Sequence, residues 1–299
     1  MIFFFAPSLA VRIRVVYIIP YIGGNGKQRS DILAKYEKSP AFRELCRLTG
    51  RAAARYRMIG EGDRILVGLS GGKDSFMLLH ALHALRRKAP VRFELVAATF
   101  DPGFPEFHVE RIAAYCREQG WEHRVVSLDI PAILAEKEYD GTPCVLCSRL
   151  RRGNLYGLAA AENCGKLALG QHFDDIAASF LISLFRGQGL STMGPNVAVT
   201  AKERVRVIRP FVLAPESLII RCRDEFGLPE AGKCRYEEEL AGGDRAYFRH
   251  LLDTVSERIP DWRGQMLRSL ANVQADHLLD PEFLTLPGSG SAATARRRV

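Results

Sequence analysis

Arg64-Ile65-Leu66-Val67-Gly68-Leu69-Ser70-Gly71-Gly72-Lys73-Asp74-Ser75 is the stretch that decides the fold. Arg64 to Leu69 reads as a buried strand, because branched apolar residues run without alternation. A Gly-rich turn follows, and an apolar-periodic helix begins at Ser75 and runs to about Leu85. Strand, turn and helix start together make an anion site, since backbone N–H groups point out of the turn and the helix dipole favours negative charge. Gly71 and Gly72 let the backbone approach phosphates closely. Lys73 adds a cation, Ser70 and Ser75 add hydroxyls, and Asp74 can hold a Mg²⁺ that bridges phosphates. This is not a Walker loop: Val67 stands where that pattern needs Gly, and Asp74 where it needs Ser or Thr.

Outward from this loop, strands and helices alternate. Phe93 to Phe100, His123 to Leu128, Lys166 to Leu169 and Val205 to Ile208 read as strands. Glu106 to Gln119, Ser148 to Ala161, Asp174 to Phe185 and Pro215 to Glu225 read as helices. The alternation predicts an α/β fold: a parallel twisted sheet with helices on both faces. Residues 243 to 279 read as a helical C-terminal part, interrupted before Pro260. The expected organisation is a lead-in over 1–30 with a disordered character, a basic helix over 31–60, the nucleotide domain over 61–232, a helical region over 233–285 and a disordered tail over 286–299.

The 299 residues suffice for one large domain with appendages, and 47% hydrophobic with 25% charged residues is a globular balance. The 42 basic against 34 acidic residues give a formal charge of +8, which mildly favours a polyanionic partner. The apolar N-terminus is interrupted by Arg12 and Arg14 before it reaches a membrane-span length, and no Lys or Arg precedes its first apolar run. No membrane association and a cytoplasmic location are expected. The odd count of seven cysteines, spread thinly, is not a disulfide framework.

Two further patterns carry chemistry. Arg43, Arg47, Arg51 and Arg55 recur every four residues, which lines four guanidinium groups along one helix face. That is either a solvated stripe or a phosphate-binding face. Cys144 and Cys147 stand three apart beside a helix start, near Arg149, Arg151 and Arg152. This setting favours thiolate, and the pair suits a metal half-site, a redox pair or two core thiols.

The string Ser70 to Ser75 resembles the phosphate loop of the PP-loop ATP pyrophosphatases, whose fold is the adenine nucleotide alpha hydrolase type. The run from Cys144 to Gly153, with Glu61 to Ile65, Pro102 to Glu106, Ile208-Arg209-Pro210 and Asn272-Val273 before His277, is similar to one branch, the tRNA 2-thiocytidine synthetases. The resemblance covers roughly residues 35 to 285. It implies that the loop grips the β and γ phosphates of ATP as a leaving group while an anticodon-loop cytidine, C32 in the family, is adenylated. Sulfur then replaces the 2-oxygen.

The resemblance also implies a ligand set and roles. Cys144, Cys147 and Cys234 hold a [4Fe–4S] cluster, and three ligands on four irons leave one iron open. The family usually has a second cysteine pair here, but Glu237 stands where Cys234 would find its companion. Cys46, Cys116, Cys164 and Cys222 match no motif. Leu169 to Asp175 looks like the family's Gly-His-X-X-Asp-Asp segment, with Gln171 where the first His is expected. Gly170 and His172 join Ser70 to Ser75 as ATP contacts, and Lys73, Asp74, Asp174 and Asp175 as chemical groups. Asp174 and Asp175 act either on Mg²⁺ or as helix caps. Arg149, Arg151, Arg152, Arg186 and the stripe from Arg43 to Arg55 are the phosphate-backbone candidates. Implied partners are tRNA, a cysteine desulfurase as sulfur donor, and a second copy of the chain. Two alternatives remain: a relative that adenylates another substrate, which needs no cysteine set, and a binding protein impaired by Gln171 and the absent fourth cysteine.

Overall fold

A computed structural model describes the backbone of residues 14–19 and residues 38–136, 143–199, 205–232, 236, 242–281 and 283–284. Seven strands are ordered β1-β4-β3-β2-β5-β7-β6: β1 (Arg14–Ile19), β2 (Asp63–Gly68), β3 (Phe93–Asp101), β4 (His123–Ser127), β5 (Lys166–Ala168), β6 (Asn196–Ala198) and β7 (Arg206–Ile208). The five central strands are parallel, while β1 and β6 pair antiparallel at the two edges. The chain fills the sheet from β2 through β3 to β4, then returns to β5 on the other side of β2 and continues to β7. That reversal between β2 and β5 is a topological switch point, and ligands bind at the carboxyl ends of strands there.

β2 shows why the sheet takes a layer on each face. Ile65 and Val67 pack into one core and Leu66 into another, as alternate side chains of a strand must. Helices α1 (Pro40–Arg55), α2 (Lys73–Arg86), α3 (Val109–Glu118) and α7 (Glu216–Phe226) supply the first core. Helices α4 (Ile130–Glu136) and α5 (Pro143–Ala161) supply the second. α6 (Phe173–Phe185) follows β5. Each fully buried Leu, Ile or Phe contributes about 1.5–3 kcal/mol. α2 is enclosed along almost its whole length, from Ser75 to Ala84, so the phosphate loop is anchored to the most deeply packed helix of the domain.

Within the expected basic helix over 31–60, α1 runs from Pro40 to Arg55. Ser39 caps α1, its hydroxyl accepting from the Phe42 N–H at 3.0 Å, and Pro40 takes the first turn, where no N–H is needed. Residues 31–37 lie outside the described residues. The expected lead-in over 1–30 holds a strand, β1, which pairs with β4 at the sheet edge. α4 and β6 were not foreseen either.

The chain forms two compact units, residues 1–249 and 250–299. α8 (Asp244–Arg258) ends the first and enters the second, where α9 (Trp262–Leu270) buries Trp262 under the Arg263 guanidinium. The expected tail over 286–299 lies outside the described residues. No helix among the described residues is long and apolar enough to cross a membrane.

Candidate active site

The loop between β2 and α2 is tied by its own hydroxyls. Ser75 Oγ accepts from the Ser70 N–H at 3.1 Å and donates to the Gly72 carbonyl at 2.8 Å. Gly72 is the N-cap of α2 and offers no side chain, so the first N–H groups of the helix remain available to an anion. Gly71 has φ +84°, and a Cβ there would meet the Ala231 Cβ at 2.4 Å; only glycine fits beneath that segment.

Lys73 reaches across to α7. Its Nζ donates to Glu216 Oε1 at 2.7 Å and to Asp74 Oδ2 at 3.1 Å. Burial pushes the Lys73 pKa down, but Asp74 and Glu216 outweigh it and the net shift is upward. Burial likewise opposes ionisation of Glu216, and Lys73, Arg249 and His172 overcome it, leaving its pKa lowered. Both groups are therefore charged at neutral pH.

The second loop, from Leu169 to Asp175, lies beside the first because β5 pairs β2. A Cβ on Gly170 would stand 2.9 Å from the Asp74 backbone, so the two loops touch only because Gly170 has none. His172 is buried, and its Nε2 lies 3.9 Å from Asp74 Oδ1 and 3.7 Å from Glu216 Oε1. Asp174 and Asp175 both cap helices. Asp175 Oδ2 accepts from the His172 N–H at 3.2 Å at the start of α6, and its Oδ1 from Arg249 Nη2 at 2.6 Å. Asp174 Oδ2 accepts from the Glu216 N–H at 2.8 Å, capping α7. The two carboxylates thus hold two different helix starts in place.

A divalent cation fits another set. Asp74 Oδ1 and His172 Nδ1 are enclosed and without hydrogen-bond partners among the described residues. Asp74, His172 and Glu216 each offer a donor atom, and these atoms lie within 4.8 Å of one another. Two carboxylates suit Mg²⁺ better than the imidazole does.

Gln171 and Arg209 meet on the far side of this loop. Arg209 Nε donates to Gln171 Oε1 and Nη1 to the Gly194 carbonyl, each at 2.5 Å. The amide that replaces the expected His therefore serves as an acceptor for a half-buried guanidinium.

Cys144 and Cys147 occupy the first turn of α5, both half-buried. Cys144 Sγ lies 3.9 Å from the Tyr236 carbonyl, and Arg151 Nη2 lies 4.0 Å from Cys147 Sγ. Two thiols one helical turn apart, at a helix start and beside a guanidinium, are a donor set that suits an anionic metal cluster. Cys234 lies outside the described residues. Burial pushes the Cys222 thiol up to about 12 and Cys164 to about 11, which suits inert core thiols, and Cys116 is raised further. Cys46 is half-buried.

The arginine stripe is exposed on α1 at all four positions. Glu44 engages Arg47 at 2.7 Å, so that member shares its charge. Arg149 and Arg152 are exposed, and Arg152 Nε bonds the Ser148 carbonyl. Arg151 does not face solvent as an RNA contact would: it is half-buried with Nε enclosed, turned toward Cys147 by the helix period of four. Arg186 is bound by both oxygens of Asp244.

Sequence reading missed Glu216 and Arg249. Glu216 follows Pro215 at a helix start, where an acid is ordinarily explained by the dipole alone. Arg249 sits in α8 with no local pattern to mark it.

The model of the PP-loop domain family matches residues 48–252. The tRNA-cytidine(32) 2-sulfurtransferase of Syntrophotalea carbinolica is 40% identical over 253 residues, covering 84% of this chain and 96% of that protein. The protein of the same name from Geobacter metallireducens is 41% identical over 243 residues, covering 81% and 94%. Among solved structures, the U34-tRNA thiolase NcsA from Methanococcus maripaludis with its [4Fe-4S] cluster shares the fold at a TM-score of 0.63 and 21% identity, over 79% of this chain and 80% of that one. The chain belongs to the PP-loop domain family and, within it, to the family of the tRNA-cytidine(32) 2-sulfurtransferases.

Proposed function

We propose that the protein cleaves ATP to AMP and pyrophosphate and replaces the 2-oxygen of cytidine 32 in tRNA by sulfur. The observation that carries this is one short stretch of chain. Ala231 lies against Gly71 of the phosphate loop, and Tyr236 lies against Cys144. Five peptide links span at most about 18 Å. The nucleotide site and the thiol pair therefore open close together, on the carboxyl edge of one sheet.

The residues divide the work. N–H groups at the start of α2, with Ser70 and Ser75, cradle the β and γ phosphates, and Lys73 neutralises them as pyrophosphate leaves. Asp74 and Glu216, with His172 behind them, would hold Mg²⁺, which would offset the negative charge of the phosphates. The C2 oxygen of the base attacks the α phosphorus, and pyrophosphate departs. Sulfur then adds at C2 and AMP departs with the old oxygen. Asp174 and Asp175 keep the starts of α6 and α7 in place.

Cys144 and Cys147, with Cys234 two residues before Tyr236 as third ligand, would hold a [4Fe–4S] cluster. Such a cluster supplies an iron on which sulfur is presented to the activated carbon. Arg151 places positive charge beside Cys147. Arg43, Arg51, Arg55, Arg149 and Arg152 offer charge to the RNA backbone. A cysteine desulfurase supplies the sulfur, the chain works as a homodimer, and it resides in the cytoplasm.

AMP release measured with tRNA carrying cytidine or uridine at position 32 tests the reading. Stimulation by the first alone is the expected result. Equal stimulation by both, or by neither, overturns the assigned substrate.

A further inference from the structure

Arg209 is a half-buried cation with no anion beside it among the described residues. Its two bonds go to neutral acceptors, the Gln171 amide oxygen and the Gly194 carbonyl, and no carboxylate lies within ion-pair distance among the described residues. Three other buried or half-buried arginines are treated differently: Arg64 pairs with Glu94, Arg124 with Glu162 and Arg249 with Asp175. A guanidinium taken from water without a counter-charge is costly, and its planar fork matches phosphate oxygens. Nε and Nη1 fix the fork, and Nη2 is unengaged among the described residues.

Its position indicates which phosphate. The Leu169 N–H donates to the Ile208 carbonyl at 3.0 Å, so Arg209 comes level with Gly170 and Gln171 on the carboxyl edge. From there, arginines lead outward to the surface. Arg206, exposed, is held by Asn196 Oδ1 at 2.7 Å. Asn196 Nδ2 donates to the carbonyls of Tyr56 and Arg57, 3.0 Å each, at the end of α1 beside Arg55 and Arg51. No acid pairs with any of these arginines among the described residues.

We propose that Arg209 receives a backbone phosphate of the tRNA, at the inner end of this line, and so sets how far the anticodon loop enters. The inference rests on the tRNA reading above. Gln171 is then a positioning residue that must be neutral: a carboxylate in its place would occupy the guanidinium and exclude the phosphate.

Binding of tRNA to the full chain is measured across salt concentrations for the parent, Arg209→Gln and Gln171→Glu, with ATP affinity of the parent and Arg209→Gln and thermal midpoints of all three. Arg209→Gln is expected to weaken tRNA binding roughly tenfold and to reduce the salt slope by about one, with ATP affinity unchanged. Gln171→Glu is expected to weaken tRNA binding while its midpoint stays at or above the parent's, which a purely structural role would not produce. If Arg209→Gln does not fold, Gln171→Glu decides alone. Parental affinity and slope in the folded variants overturn the inference and leave the tRNA reading intact. Loss of ATP affinity with intact tRNA binding assigns the phosphate to the nucleotide and also overturns it. Failure of the parent to bind tRNA removes both.

Discussion

The Lys73 ammonium lies 2.7 Å from Glu216 Oε1, although 143 residues separate them in the chain. Glu216 is the counter-ion of Lys73 in this structure. On the proposed reading, ATP takes Lys73 and leaves Glu216 to a cation beside Asp74. Glu216→Gln should therefore raise the Mg²⁺ concentration needed for half-maximal pyrophosphate release by roughly tenfold or more, from the loss of one charge-assisted contact of about 1.5–3 kcal/mol. An unaltered Mg²⁺ requirement would remove Glu216 from the cation site.

Lys73→Ala should weaken ATP binding and slow pyrophosphate release together, by roughly 10- to 100-fold in the combined constant. Equilibrium binding and AMP formation, measured side by side, check this. Parental rates would show that the loop does not act on phosphate through Lys73.

Gly170→Ala tests the contact between the two loops. Its new Cβ would stand 2.9 Å from the backbone of Asp74, which cannot yield as a side-chain end can. A cost of about 1–3 kcal/mol in stability and a matching loss of ATP affinity are expected. A parental thermal midpoint and ATP affinity would mean that the loops stand further apart.

Stability should fall on mild acidification. Burial pushes His80 down to about 3, and burial with the Arg124 charge pushes His123 down to about 4. Both pKa values lie below the ordinary 6.5, so the unfolded chain binds more protons in between. The stabilisation is complete above pH 6.5 and is lost as pH falls below it, by about 1.4 kcal/mol per pH unit for each group. Thermal midpoints at pH 7.5, 6 and 5 should decline, and His123→Gln, which can still bond Thr99, should flatten the decline. A flat parental profile would contradict the burial of neutral histidines.

The central strands and the phosphate loop were legible because their signals are local: Ile65, Leu66 and Val67 are contiguous, and Gly71 to Ser75 carry their chemistry within five residues. The partner of Lys73 was not, since Glu216 meets it only through the packing of α7 on α2. Asp174 and Asp175 were legible as a pair but not as caps of two helices, because one of the caps is made across 42 residues. Which of Arg149, Arg151 and Arg152 turns toward Cys147 was not legible, because the sequence does not show which face of α5 is covered. β1 was not legible because its pairing with β4 is made across a long stretch of sequence and leaves no local signal.

Sulfur transfer to cytidine is the reaction proposed for the phosphate loop and the thiol pair together. The most direct test prepares the protein without oxygen and supplies ATP, Mg²⁺, isotopically labelled sulfide and unmodified tRNA, with nucleosides analysed by mass spectrometry. Labelled 2-thiocytidine from the parent, none from Cys144→Ala, and its retention in Cys222→Ala are the predicted results. AMP and pyrophosphate formed without any 2-thiocytidine would contradict the claim.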